Sequence, residues 1–113
     1  HFRRSVIDRQ SLYEILPYVD IIEGFNAWNT FQRDNRKAEE LAIEHNILTS
    51  AVGDSHTLVE VGRTYVEIAD FDGTPEGLRQ VLAPGIQVCR PITPLIHVLT
   101  TLTKVRKRLW QNG

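Results

Sequence analysis

The fold is decided by two short apolar stretches, VDIIEGF at residues 19–25 and ILTSAVG at residues 47–53. Both are rich in β-branched and other apolar residues, so each stretch predicts a β-strand. Between them, residues 35–45 place apolar side chains at helical spacing and predict an α-helix. A strand, a helix and a second strand in this order are typical of a right-handed βαβ unit, whose two strands are parallel.

The flanking segments continue this alternation of helices and strands, which predicts an α/β fold with a long C-terminal helix. The predicted elements are a helix that begins after Asp8 and ends at Pro17, a turn at residues 58–62, a strand at 64–68, a helix that begins after Thr74, an edge strand at 86–89 and a helix at 95–110.

Length and composition exclude several classes of protein. The chain has 113 residues, 42% of them hydrophobic and 24% charged, as is ordinary for a soluble globular domain. A complete TIM-type barrel takes roughly 250 residues, so the chain forms at most part of one. The single cysteine, Cys89, excludes an intramolecular disulfide framework and favours a reducing, cytoplasmic compartment. No apolar run approaches the roughly 20 residues of a membrane span, so we expect no membrane partner.

Charge is unevenly distributed along the chain. The formal net charge is -1, but KVRKR at residues 104–108 carries +4 and leaves -5 on residues 1–103. The acidic remainder of the chain gives nucleic-acid binding by this basic tail only weak support. The same C-terminal helix carries a stripe of apolar residues, which predicts either packing on the domain or a homo-oligomer.

Polar residues follow both predicted parallel strands. Glu23 and Asn26 end the first strand, and Asp54 and His56 follow the second. Ligands of parallel α/β sheets bind beyond the carboxyl ends of the strands, and a carboxylate with an imidazole suits a Zn, Mn or Fe site. The spacing alone leaves a structural alternative open, in which Asp54 caps the following turn and His56 is a partly exposed loop residue.

Separated pieces of the chain resemble, in order and spacing, the carboxyl-terminal half of PHP (polymerase and histidinol phosphatase) proteins. In that family an acid and an asparagine end one strand, and a GSDAHT motif follows the next strand; here the motif reads GDSHT, without the serine before the aspartate. The resemblance covers about residues 1–90. The matching pieces are DIIEGFN at residues 20–26, the helix at 35–42, AVGDSHT at 51–57 and VGRTYV at 61–66.

The resemblance implies a distorted (β/α)7 barrel that holds a metal cluster at the carboxyl ends of its strands and hydrolyses phosphate esters. It implies that Asp54 and His56 are metal ligands. It also implies that Glu23 and Asn26 support the site, with a structural loop bond as the alternative. The expected cofactor is a divalent metal (Mn, Zn or Fe), and the expected substrate is a small-molecule phosphate ester.

The amino terminus is similar to another motif of the same family. His1, in HFRR at residues 1–4, corresponds to the histidine of an HPxR motif that lacks its proline here, and it is a third candidate metal ligand. Arg3 or Arg4 would then bind the substrate phosphate through a guanidinium fork; solvated surface arginines are the alternative.

The His-x-His motif that begins the family pattern is absent from the sequence. We therefore expect residues 1–90 to form the carboxyl-terminal part of the barrel, a partial (β/α) barrel, and residues 91–113 to form a helical extension. Such a fragment of a metal-dependent phosphoesterase lacks most ligands of the cluster, so we expect little or no hydrolase activity from it alone. The alternative is a non-catalytic binding or oligomerisation module derived from the same fold.

Overall fold

The computed structural model of the chain describes residues 7–111, without the side chains of residues 103, 104, 107–109 and 111. His1, Arg3 and Arg4 lie outside the described residues. The elements are α1 (Arg9–Ile15), a 3-10 turn (Leu16–Tyr18), β1 (Ile21–Asn26), α2 (Gln32–Glu44), β2 (Leu48–Val52), β3 (Tyr65–Glu67), α3 (Pro75–Leu82), β4 (Ile86–Val88) and α4 (Pro94–Gln111).

Strands β1 and β2 are parallel neighbours joined by α2, as the βαβ pattern predicts. Helix α2 packs against β1 and β2. The pairing runs from Ile21 opposite Leu48 to Asn26 opposite Val52, and its register shifts between Glu23 and Phe25. The unpaired residue at the shift is the buried Gly24, where an added Cβ would lie 3.1 Å from the Thr49 side chain.

Strands β3 and β4 form a second, antiparallel sheet, which differs from the predicted succession of parallel strands. Each strand has only three residues and exposes two of them, and an antiparallel pair tolerates water on one face, whereas parallel sheets are normally covered on both faces. The Gln87 side chain joins the two sheets, because its Nε2 donates to the Thr49 carbonyl at 3.2 Å and to the Thr49 hydroxyl at 2.8 Å. Within residues 7–111 the fold is thus mixed α/β with small sheets and no closed barrel.

The predicted helix starts are confirmed where a capping residue precedes the helix. The Asp8 carboxylate accepts from the Ser11 N–H, and the Thr74 hydroxyl accepts from the Gly77 N–H. Helix α2 begins at Gln32, three residues before the predicted start at Asn35, without a side-chain cap. Asn35 lies inside the helix and is buried, so its side chain serves the loop after β1 instead of the helix end.

The buried apolar core is small. It gathers under the β1–β2 sheet and at the start of the C-terminal segment, and its residues are Leu16, Ala27, Ala42, Ala51 and Ile92. Much of the apolar surface of α4 stays exposed. Among the helices of residues 7–111, none is long and apolar enough to cross a lipid bilayer.

Candidate functional site at the carboxyl edge of the parallel sheet

The carboxyl ends of β1 and β2 bring two loops together. Asn26 pairs with Val52 at the last position of the register, and the Ala27 N–H donates to the Val52 carbonyl at 3.0 Å. The chain leaves both strands at this edge, which is where parallel sheets bind ligands. The predicted polar residues of both strands therefore lie in one region.

Asn26 links the two strand ends through its side-chain amide. Its Nδ2 donates to Glu23 Oε1 at 2.7 Å and to Asp54 Oδ2 at 3.4 Å, the second distance being at the long end for a hydrogen bond. Its Oδ1 accepts from the Trp28 N–H at 2.7 Å. Glu23, Asn26 and Asp54 thus form one connected cluster, and the structural loop bond that was the alternative for Glu23 and Asn26 is present.

Asp54 takes a left-handed backbone conformation with φ 45°. Aspartate is one of the few non-glycine residues that adopt this conformation readily. Asp54 follows Gly53 directly, and the turn brings the Asp54 carbonyl within 2.7 Å of Nδ1 of His56. The Asp54 and His56 side chains are both exposed at the sheet edge.

The contact between His56 and the Asp54 carbonyl selects a tautomer. A carbonyl oxygen only accepts, so Nδ1 of His56 carries the proton and donates it to this bond. In the neutral imidazole, Nε2 then keeps its lone pair. A histidine that ligates a metal ordinarily makes this same kind of second hydrogen bond, so His56 fits the ligand role.

Glu60 is a buried residue beside the candidate site that the sequence patterns did not single out. It is 1% exposed. Its Oε2 accepts from the backbone N–H of His56 at 2.8 Å, from the backbone N–H of Thr57 at 2.6 Å and from the Thr57 hydroxyl at 2.8 Å. The turn that follows Asp54 is therefore held by Glu60. The available signal was Thr-x-x-Glu at residues 57–60, the pattern of a capping box.

The charge state of Glu60 follows from these hydrogen bonds. Burial raises the pKa of the Glu60 carboxyl, whereas the bonds from the Thr57 hydroxyl and from the N–H groups of His56 and Thr57 lower it, and the net pKa lies below its ordinary value of 4.5. Glu60 is thus an ionised acceptor at neutral pH and fixes the backbone on which His56 stands.

Asn35 plays the corresponding part on the β1 side and was also missed. It is 5% exposed. Its Oδ1 accepts from the Asn26 N–H at 3.1 Å and from Asn29 Nδ2 at 2.6 Å, while its Nδ2 donates to the Asn26 carbonyl at 3.1 Å and to Gln32 Oε1 at 3.2 Å. A single buried amide therefore orders the loop after β1. The only sequence signal was an asparagine within an otherwise regular helical pattern.

Trp28 carries ring contacts from this edge to α4. Its indole lies 4.4 Å from the His56 ring, centroid to centroid, and 4.5 Å from the His97 ring. His97 matched no motif in the sequence. The structure thus adds an aromatic residue and a second histidine to the surroundings of the predicted Asp54–His56 pair.

The donor set fits part of a divalent-metal site. The Asp54 carboxylate and the His56 Nε2 are oxygen and nitrogen donors of the kinds that Zn, Mn and Fe accept. Over the described residues 7–111, no group of three or more His, Cys, Asp and Glu side chains is arranged to hold an ion. Within the described part of the chain, this edge therefore offers two candidate donors and no complete set of ligands.

Comparison with known protein families gives a match to the central part of the chain. The sequence model of the family described as PHP-associated matches residues 32–85. This span runs from the start of α2 to just after α3, so it includes Asp54, His56 and Glu60 and excludes Glu23, Asn26 and Trp28. No curated protein and no solved structure significantly matches the chain.

Proposed function

We propose that the chain is the carboxyl-terminal part of a PHP-type phosphoesterase and supplies Asp54 and His56 to its metal site. The match of the PHP-associated family model to residues 32–85 supports this proposal. The observation that carries this proposal is the hydrogen bond between His56 Nδ1 and the Asp54 carbonyl at 2.7 Å. It leaves Nε2 of His56 with a lone pair, on the loop that follows β2 at the ligand-binding edge of a parallel sheet.

Different neighbouring residues position each of the two proposed ligands. The Asn26 amide contacts the Asp54 carboxylate, and Glu60 fixes the backbone of His56. Glu23 is bonded to Asn26, which supports its role as a residue near the site that is not itself a ligand. A bound divalent metal would lower the pKa of a coordinated water and offset the charge that develops on a phosphate ester.

The remaining parts of the site lie outside the residues described above. We propose His1 as a third ligand and Arg3 or Arg4 as the phosphate-binding cation. Residues 1–90 would then complete the carboxyl-terminal part of a (β/α) barrel, with residues 91–113 as an extension. Because the described residues supply only two ligands, we expect the chain by itself to bind metal weakly and to hydrolyse phosphate esters poorly.

The experiment measures zinc and manganese binding to the 113-residue chain by isothermal titration calorimetry. Asp54→Asn and His56→Ala each remove one ligand, so we expect each to weaken zinc binding by at least about tenfold. Asp70→Asn and His45→Ala are matched controls at exposed positions and should leave the affinity unchanged. Equal affinities of all four variants would contradict the proposed site.

A second candidate function, self-association, is favoured by the apolar surface of α4. Leu95, Leu99 and Leu102 are 68%, 53% and 60% exposed. An apolar helix face of this kind is common in subunit interfaces. Sedimentation equilibrium distinguishes the candidates, because a homo-oligomer supports a module built for assembly and a monomer at all accessible concentrations contradicts it.

A further inference from the structure

The ring of Trp28 contacts two imidazoles that come from distant parts of the chain. The His56 ring is tilted by 57° to the indole at a centroid distance of 4.4 Å, and the His97 ring meets it edge-on at 83° and 4.5 Å. Both distances fall in the range of favourable aromatic contacts. Trp28 is therefore engaged by protein rings and is poorly suited to stack a nucleobase or another planar ligand.

The backbone around Trp28 is fixed on both sides. The Trp28 N–H donates to Asn26 Oδ1 at 2.7 Å, and the preceding Ala27 is 3% exposed. The Ala27 carbonyl accepts from the Ile92 N–H at 3.0 Å, so the segment that leads into α4 is tied to the same point. Because its backbone is fixed, the Trp28 indole is a rigid surface on which the neighbouring histidine rings can pack.

His56 needs such a surface because its own position is exposed. Its backbone is held by Glu60, and Nδ1 has one partner in the Asp54 carbonyl. An exposed imidazole that is not packed can rotate about its side-chain torsions and exchange between two tautomers. Packing on Trp28 removes much of that freedom before any ligand arrives, which is how a site becomes preorganised.

We propose that Trp28 is a positioning residue that holds the His56 imidazole with Nδ1 on the Asp54 carbonyl, and that His97 joins the first turns of α4 to the same assembly. The consequence for metal affinity rests on the proposed function. The orientation of His56 is independent of the proposed function, because it is a property of the metal-free chain. The C-terminal helix thus becomes part of the site through one ring contact.

The first test uses the metal-free chain and NMR of the histidine side chains at about pH 8, where a free imidazole is neutral. We expect the ring protons of His56 to be shifted upfield by the indole, and its ¹⁵N shifts to report mainly the Nδ1–H tautomer. Trp28→Leu should return the ring protons toward free histidine values and mix the tautomers, whereas Trp28→Phe should largely preserve both features. His56 signals that are the same in Trp28→Leu and in the wild type would overturn the proposal.

The second test compares zinc affinity among the same proteins. An aromatic contact of this kind corresponds to about a 3- to 10-fold change in affinity, so we expect Trp28→Leu to bind zinc more weakly by that factor and Trp28→Phe to recover most of it. Trp110→Leu makes the same chemical change at an exposed tryptophan in α4 and should have no effect. Far-UV circular dichroism confirms that each variant is folded.

The two tests separate this inference from the function on which it partly rests. A wild-type chain that binds no zinc but shows the upfield shift and the single tautomer contradicts the proposed metal site and supports the positioning role. A Trp28→Leu chain whose His56 ring is freed but which binds zinc as tightly as the wild type overturns the positioning role and leaves the metal site intact.

Discussion

The carboxyl edge of the β1–β2 sheet and helix α4 differ in which side chains they bury and which they expose. The edge buries polar side chains, among them Asn35 and Glu60, and bonds them within the chain, whereas α4 exposes leucines and valines to solvent. A buried polar group costs several kcal/mol unless it is bonded, but an exposed apolar side chain costs the monomer little. We therefore expect the free energy of unfolding to depend strongly on the polar residues of the edge and weakly on the apolar residues of α4.

Among the polar residues of the edge, the largest loss is expected at Glu60. Glu60→Ala leaves the half-buried N–H groups of His56 and Thr57 without their charged acceptor, so the free energy of unfolding should fall by about 3 kcal/mol. Urea denaturation followed by circular dichroism measures this loss. Glu67→Ala, at an exposed position of β3, is the matched control and should cost less than about 0.5 kcal/mol. Equal losses in the two variants would break the comparison.

The same carboxylate predicts a pH dependence whose sign is fixed. The pKa of folded Glu60 lies below 4.5 because its hydrogen bonds favour the ionised form. Its contribution to stability is therefore complete above that ordinary value and is lost as the pH falls through the lower folded pKa. In denaturation between about pH 6 and about pH 3, Glu60→Gln should lose less stability than the wild type. The carboxyls of Asp8 and Asp72 also have lowered pKa values but are common to both proteins, so the difference isolates Glu60.

A smaller loss is expected at Asn35. Asn35→Ala removes the partners of the Asn26 N–H and carbonyl at the end of β1, and should lower the free energy of unfolding by about 2 kcal/mol. Gln80→Ala, which removes an amide from an exposed helical position, is the control and should stay within about 0.5 kcal/mol of the wild type. A loss at Asn35 no larger than the loss at Gln80 would show that the buried amide does not order the loop.

The smallest effect is expected in α4. Leu102→Ala shortens a side chain that is 60% exposed, so in dilute monomeric protein it should change the free energy of unfolding by less than about 0.5 kcal/mol. Leu16→Ala, at a position 5% exposed, provides the contrast and should cost about 2–5 kcal/mol. A loss at Leu102 that grows with protein concentration would sharpen the comparison differently, by showing that a second copy covers α4.

The features that the sequence predicted correctly depend on residues that are close together along the chain. Asp8 and Thr74 cap their helices through atoms three residues away, and β1, α2 and β2 carry the periodicity of a βαβ unit. The hydrogen bond between the His56 ring and the Asp54 carbonyl is local as well, since only Ser55 lies between the two residues. In each case the deciding contact is set by spacing along the chain.

The features that the sequence did not predict depend on tertiary contacts between residues that are distant along the chain. Three-residue strands do not specify the direction of pairing, so the antiparallel arrangement of β3 and β4 follows from the path of the chain through α3. The predicted helix began near Asn35 because the apolar spacing begins there, and only the burial of Asn35 reveals its role in the loop. The contacts of Trp28 with His56 and His97 span 28 and 69 positions, and no local pattern encodes them.

The interruption at Gly24 has a consequence for which side of the sheet the polar residues occupy. In an unbroken strand, residues three apart point to opposite faces, which would keep Glu23 and Asn26 apart. The extra residue in β1 reverses this parity, so the Asn26 amide meets the Glu23 carboxylate at 2.7 Å and also reaches Asp54. A Cβ added at Gly24 would lie only 3.1 Å from the Thr49 side chain, so a larger residue would be crowded at the register shift. Gly24 has no side chain of its own, yet the contact between the Glu23 carboxylate and the Asn26 amide depends on it.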